Sequence, residues 1–169
     1  DIETGLASLL PGLKSGKFGT AKSLVSLGSS AAVVGVVDLN NDKLLDVVFS
    51  TTRGPTVLFG QKGGPIAGLF AQRRDIPLSD EVFVNAVRLG DLDEDGFYDL
   101  LVNYEGGVRV LWGKGDGTFL DGGAFPGLTS MASLAAVSNR DVAQAEGGLL
   151  KLLAGKGDRT FAAPTAVAG

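Results

Sequence analysis

The stretch Asp91-Leu92-Asp93-Glu94-Asp95-Gly96-Phe97-Tyr98-Asp99 places four aspartates within nine residues, three of them at alternating positions. Four carboxylates so close together need something to neutralise them, and Gly96 supplies backbone that can turn sharply. Hard oxygen donors in this number, with no nitrogen or sulfur ligand nearby, suit Ca²⁺ better than zinc or copper. A related stretch, Asp38-Leu39-Asn40-Asn41-Asp42-Lys43-Leu44-Leu45-Asp46, lies 53 positions earlier.

Setting Asp38 on Asp91 extends the match without a gap. Gly54 falls on Gly107, Val57-Leu58 on Val110-Leu111, and Gly60 on Gly113. An apolar run precedes each acidic loop and two follow it, among them Leu45–Phe49 and Tyr98–Val102, then Thr56–Phe59 and Val108–Trp112. These are short, rich in Val, Leu and Phe, and bounded by Gly, Asp and Asn, which predicts strands. Two further copies stand at the ends. Glu146–Phe161 matches Glu105–Phe119 with one inserted residue, and Glu3–Phe18 follows the same outline.

With strands A to D in each unit, the chain reads C-D and then A-B-C-D three times. Units starting near Ala31, Val84 and Ala132 give periods of about 40–53 residues, the range of four-stranded propeller blades. The expected division is a half blade at 1–28, blades with acidic loops at 31–80 and 84–130, and a blade at 132–169. In that last unit Ser138-Asn139-Arg140-Asp141 stands where the acidic loop belongs, which reads as a short turn with too few carboxylates for an ion.

The loop, its place between strands A and B, and the blade-like repeat resemble the FG-GAP (VCBS-type) repeats of integrin-α-like β-propellers. Asp91–Asp99 carries the D-x-[DN]-x-[DN]-G-x-x-D pattern in full, and Asp38–Asp46 departs from it at Lys43. The resemblance covers essentially the whole chain and implies an all-β fold, a propeller fragment of about three and a half blades. It implies Ca²⁺ held by the side chains of Asp91, Asp93, Asp95 and Asp99 and the carbonyl of Phe97. The corresponding first set is Asp38, Asn40, Asp42 and Asp46 with the carbonyl of Leu44. Lys43 must then take a left-handed conformation and adds a positive charge, so the first site is expected to be weaker. Both ions would be structural.

The resemblance further implies a non-enzymatic platform for protein recognition, adhesion or scaffolding, with a carbohydrate-binding propeller or part of a propeller enzyme as alternatives. Such propellers usually have seven blades. The remaining blades are therefore expected from a longer polypeptide, a complementary chain or self-association, since a half blade leaves strand edges unpaired. Small calcium loops in extracellular modules bind at about 10⁻⁴–10⁻³ M, so a calcium-rich setting such as the exterior, the periplasm or an organelle lumen is expected.

Composition narrows the alternatives. The 169 residues contain no Cys and no His, which removes disulfides, Cys/His zinc sites and His-activated nucleophiles. A net charge of −4 without a basic cluster argues against nucleic acid as partner. No apolar run reaches the roughly 18–20 residues of a membrane helix. An EF-hand would need a glutamate at loop position 12 and flanking helices, but Val102 and Phe49 stand there, inside strand-like runs. Gly12–Phe18 is one residue short of a phosphate loop and ends in Phe, and the aligned Gly113–Gly117 and Gly155–Asp158 read as C–D turns. Trp112 aligns with Leu10, Phe59 and Leu153, which predicts core packing between blades over sugar stacking. Arg73-Arg74, placed after strand D, reads as a solvated edge.

Overall fold

Apolar residues at consecutive positions mark a strand covered on both faces. Residues 46–51 and 54–59 have this pattern, as do 99–104 and 107–113, and they are deeply buried strands. The computed structural model describes residues 5–28, 30–63, 70, 72–78, 83–125, 133–136, 141–146 and 149–167.

Strands β1 (Leu6–Leu9) and β2 (Lys22–Ser26) form a two-stranded sheet. Then come three antiparallel meanders of four strands in chain order. The first holds β3 (Ala32–Val37), β4 (Asp46–Thr51), β5 (Gly54–Phe59) and β6 (Gln72–Asp75). The second holds β7 (Val84–Gly90), β8 (Asp99–Tyr104), β9 (Gly107–Gly113) and β10 (Phe119–Phe125). The third holds β11 (Ser133–Ala136), β12 (Val142–Glu146), β13 (Leu149–Leu153) and β14 (Thr165–Val167). The order is C-D followed by three A-B-C-D units. The isolated bridges Gly12↔Phe18 and Gly155↔Phe161 match the Gly113↔Phe119 pairing, so the glycine-rich segments are turns between strands C and D.

Side-chain alternation turns these sheets into a stack. Leu100, Val102 and Leu111 share a core with Val48, Val57 and Phe59 of the preceding sheet. Their neighbours Leu101, Val108, Val110 and Trp112 face the opposite way, onto Val142 and Leu153 of the following sheet. Trp112 is 3 % exposed and stacks on Phe161 at 6.2 Å between ring centres, so it is an interblade core residue. The inner strand β7 touches β3, β4 and β5 on one side and β11 on the other. Outer strands β6 and β10 are largely exposed.

Arg73 and Arg74 lie within β6, not beyond it as the sequence suggested, because the strand continues to Asp75. They are not simply solvated. Arg73 pairs with Asp75 at 2.9 Å and donates to the Ser26 carbonyl. Arg74 donates to the Gly117 carbonyl of the next blade at 2.7 Å and lies over the Phe59 ring.

The flank of the stack differs from its centre. Among the described residues the sheet beside β3 has two strands instead of four, and Val33 and Val36 are more than half exposed. They line an apolar cavity with Leu6, Leu9, Leu24 and Phe49. A smaller core of Leu27, Phe49 and Leu58 joins this sheet to the first full one. Among the described residues no helix is long and apolar enough to cross a membrane.

Candidate metal centre

Asp91 follows the end of β7 and Asp99 opens β8, so the acidic loop is the A–B connection at one end of a blade. The loop winds around its own carboxylates. Asp91 Oδ2 accepts the Gly96 N–H at 3.1 Å, Asp93 Oδ1 that of Asp95 at 3.2 Å, and Asp95 Oδ1 that of Phe97 at 2.9 Å. Gly96 and Glu94 carry the left-handed residues of the turn, at φ 88° and 61°. The Phe97 ring lies against Gly115, where an added Cβ would come within 2.4 Å of it.

One oxygen each from Asp91, Asp93 and Asp99 comes within 4.8 Å of the others, a spacing that a single cation can bridge. Asp91 Oδ1 is buried with no hydrogen-bond partner, and leaving such an acceptor unpaired costs about 1–3 kcal/mol. Burial pushes the Asp99 carboxyl up to about 7, with Asp93 and Asp95 adding repulsion against the pull of the Gly113 and Leu92 N–H groups. An orphaned acceptor, crowded carboxylates and an oxygen-only donor set fit a hard divalent cation.

Asp95 is not in that trio. With Asp93 it accepts Arg159, a residue of the C–D turn of the following blade: Nε to Asp93 Oδ2 is 2.6 Å and an Nη to Asp95 Oδ2 is 3.1 Å.

The Asp38 loop has the same path and repeats these three bonds, with two more of its own, from the Asp42 N–H to Asp38 and from the Asn40 amide to Asp42. Asp38 accepts the N–H groups of Asp42 (3.2 Å) and Lys43 (2.9 Å), and Asn40 accepts from Asp42 at 3.2 Å. The Asn40 amide also donates to Asp42 Oδ2 at 3.0 Å, and Asp42 Oδ1 takes the Leu44 N–H at 2.8 Å. Lys43 takes the left-handed conformation expected of it, at φ 68°. Among the described residues, Asp38, Asp42 and Asp46 form no carboxylate trio like that of the second loop.

The last aspartate of each loop has a task that spacing alone did not reveal. Asp46 accepts the N–H groups of Leu39 and Gly60, both at 2.8 Å. Asp99 accepts those of Leu92 and Gly113, both at 2.7 Å. Each clamps the start of its loop to the end of strand C. Burial raises the Asp46 carboxyl too, against those two N–H bonds, with Asp42 and Asp38 adding to the rise. In the third blade Ser138–Arg140 lie outside the described residues, but Asp141 accepts the Gly155 N–H at 3.1 Å. A signal for this existed: in all three units an aspartate stands 14 residues before a glycine at or just past the end of strand C.

Four-stranded antiparallel sheets stacked face to face, with acidic loops joining strands A and B, define a β-propeller-like repeat module. Family comparison agrees: the sequence matches the FG-GAP-like repeat over residues 38–102 and again over 91–142, and the chain belongs to that family. A search of the curated proteins finds no match.

Proposed function

We propose that this chain is a calcium-stabilised, non-enzymatic propeller module that serves protein recognition, adhesion or scaffolding as part of a larger chain or assembly. The observation that carries the calcium reading is the Asp91–Asp93–Asp99 trio with its unpartnered, buried Asp91 Oδ1. A bound Ca²⁺ would supply positive charge to these carboxylates and tie the A–B loop in place. The loops Asp91–Asp99 and Asp38–Asp46 would each hold one ion, the first more tightly, with the carbonyls of Phe97 and Leu44 completing the sets. Lys43 and the Asn40–Asp42 bond support that order, because charge and a filled acceptor both disfavour an ion. Millimolar calcium outside the cytosol, in the exterior, periplasm or an organelle lumen, suits sites of this kind.

Membership of the FG-GAP-like repeat family supports the recognition reading, since such repeats generally form protein-binding modules. Calorimetry with Ca²⁺ and luminescence with Tb³⁺ test the ion. Two binding events are expected, the tighter lost in Asp91→Ala and the weaker in Asp42→Ala, with melting temperature rising on calcium addition. A folded protein with no ion-dependent signal overturns the calcium reading. Calcium-dependent crosslinking to proteins of the same compartment tests recognition.

A further inference from the structure

Arg159 occupies an unusual position. It aligns with Gly117 of the previous blade, and both are left-handed, at φ 65° and 74°. That conformation is natural for glycine and strained for arginine. The two turns reach the preceding acidic loop differently. The Gly117 turn meets the Asp38 loop itself through neutral groups: the Gly117 N–H donates to the Leu39 carbonyl, and the Asn41 amide to that of Gly115, both at 3.1 Å, while the Arg74 guanidinium bonds the Gly117 carbonyl. At the second interface a guanidinium bonds the loop carboxylates themselves. It spans Asp93 and Asp95, with the Asp93 side chain only 5 % exposed, and lies 5.8 Å from the Trp112 ring centre.

We infer that Arg159 is a resident counter-cation of the Asp91 loop, competing with a divalent ion for Asp93 and Asp95, so that ion loading opposes the seating of the next blade. The competition is electrostatic. Asp91, Asp93, Glu94, Asp95 and Asp99 crowd one loop, and without an ion the guanidinium is the positive charge that directly bonds two of these carboxylates. A dication drawn into the same set meets that charge a few ångströms away, where like charges repel appreciably even near water. Coupling of this kind is reciprocal: whatever Arg159 takes from ion affinity, the ion takes from the Arg159 contact. The corresponding turn offers Gly117 to the Asp38 loop, with no guanidinium of its own to bond the carboxylates there.

This rests on the calcium reading, and calorimetry separates the two. Arg159→Gly suits the backbone at φ 65° and is expected to keep the fold. It should bind Ca²⁺ about tenfold more tightly than wild type at low salt, by loss of one opposed charge. Its calcium-free form should melt at a lower temperature. Arg159→Lys, which keeps the charge without the two-pronged bond, should fall between. Trp112, the sole tryptophan, offers a second readout: its emission should change when calcium loads wild type and stay constant in Arg159→Gly. If wild type binds calcium and Arg159→Gly binds equally or more weakly, the inference is overturned and the calcium reading stands. If neither protein binds calcium, both are overturned.

Discussion

Asp141 accepts the backbone N–H of Gly155 across 14 residues, the separation at which Asp46 holds Gly60 and Asp99 holds Gly113. The last aspartate of the acidic loop therefore does two jobs that can be separated. One, on the proposed calcium reading, is to offer oxygen to an ion; the other is to pin the loop to the end of strand C. The third blade keeps the second job without the first three acidic positions.

Removing the pin should weaken the protein whether or not calcium is present. Asp46→Ala and Asp141→Ala each strand at least one backbone N–H. The expected loss is about 1–3 kcal/mol apiece, read by chemical denaturation in chelator. Gly113→Ala should be comparably harmful, because a Cβ there would lie 2.2 Å from the Tyr98 carbonyl oxygen.

Lys43 is a local obstacle to ion binding. Lys43→Gly places glycine at φ 68° and removes a cation from the loop, so calcium affinity at the Asp38 site should rise about threefold to tenfold. Stability without calcium should change little, since relief of strain is offset by the extra freedom of glycine in the unfolded chain. The converse variant, Gly96→Lys, should weaken the Asp91 site in the same titration.

The Asp75 carboxylate gives a predictable pH response. Burial raises its pKa, but the Thr56 hydroxyl at 2.7 Å and the Arg73 guanidinium outweigh burial and hold it below the usual 3.8. A carboxylate lowered on folding stabilises the protein above its unfolded value and loses that contribution as pH falls through the folded value. Because Asp75 and Arg73 are both well exposed, Asp75→Asn should cost under about 1 kcal/mol at pH 7. The gap to wild type should close below about pH 4 in a series of urea melts.

Two leucines distinguish core from rim. Leu100 is fully buried between blades, and Leu100→Ala should cost about 2–5 kcal/mol. Leu120, on the outer strand, is 53 % exposed, and Leu120→Ala should stay within about 0.5 kcal/mol. Similar losses at the two positions in thermal melts would contradict the stacking described above.

The repeat was readable in the sequence because strand burial and turn chemistry leave a mark at every copy. The runs around Val48, Val57, Leu100 and Val110 are apolar on both faces, and Gly60 and Gly113 mark the same corner. Trp112 could be placed in the core because its aligned positions are all large and apolar. Polar contacts between blades left no such mark. Arg159 sits in a turn that reads as Gly-Lys-Gly-Asp-x-Thr, and only the stacking of sheets brings it to Asp93, 66 residues away. Arg74 is similar, since its bond to the Gly117 carbonyl depends on where the next turn lands. Asp141 stood apart from any acidic run, and its role was marked only by the constant 14-residue spacing to Gly155, whose backbone N–H it accepts.

The two-sided burial of β8 and β9, set beside the half-covered β3, implies that the module does not open uniformly. Strands sandwiched between neighbours are the last to expose their amides, while those at a bare flank fray first. Hydrogen exchange should thus be slowest at Leu100–Val102 and Val108–Leu111 and faster along Ala32–Val37. Over the described residues, protection would decline from β8 and β9 toward β3, with the middle blade persisting as the final protected kernel.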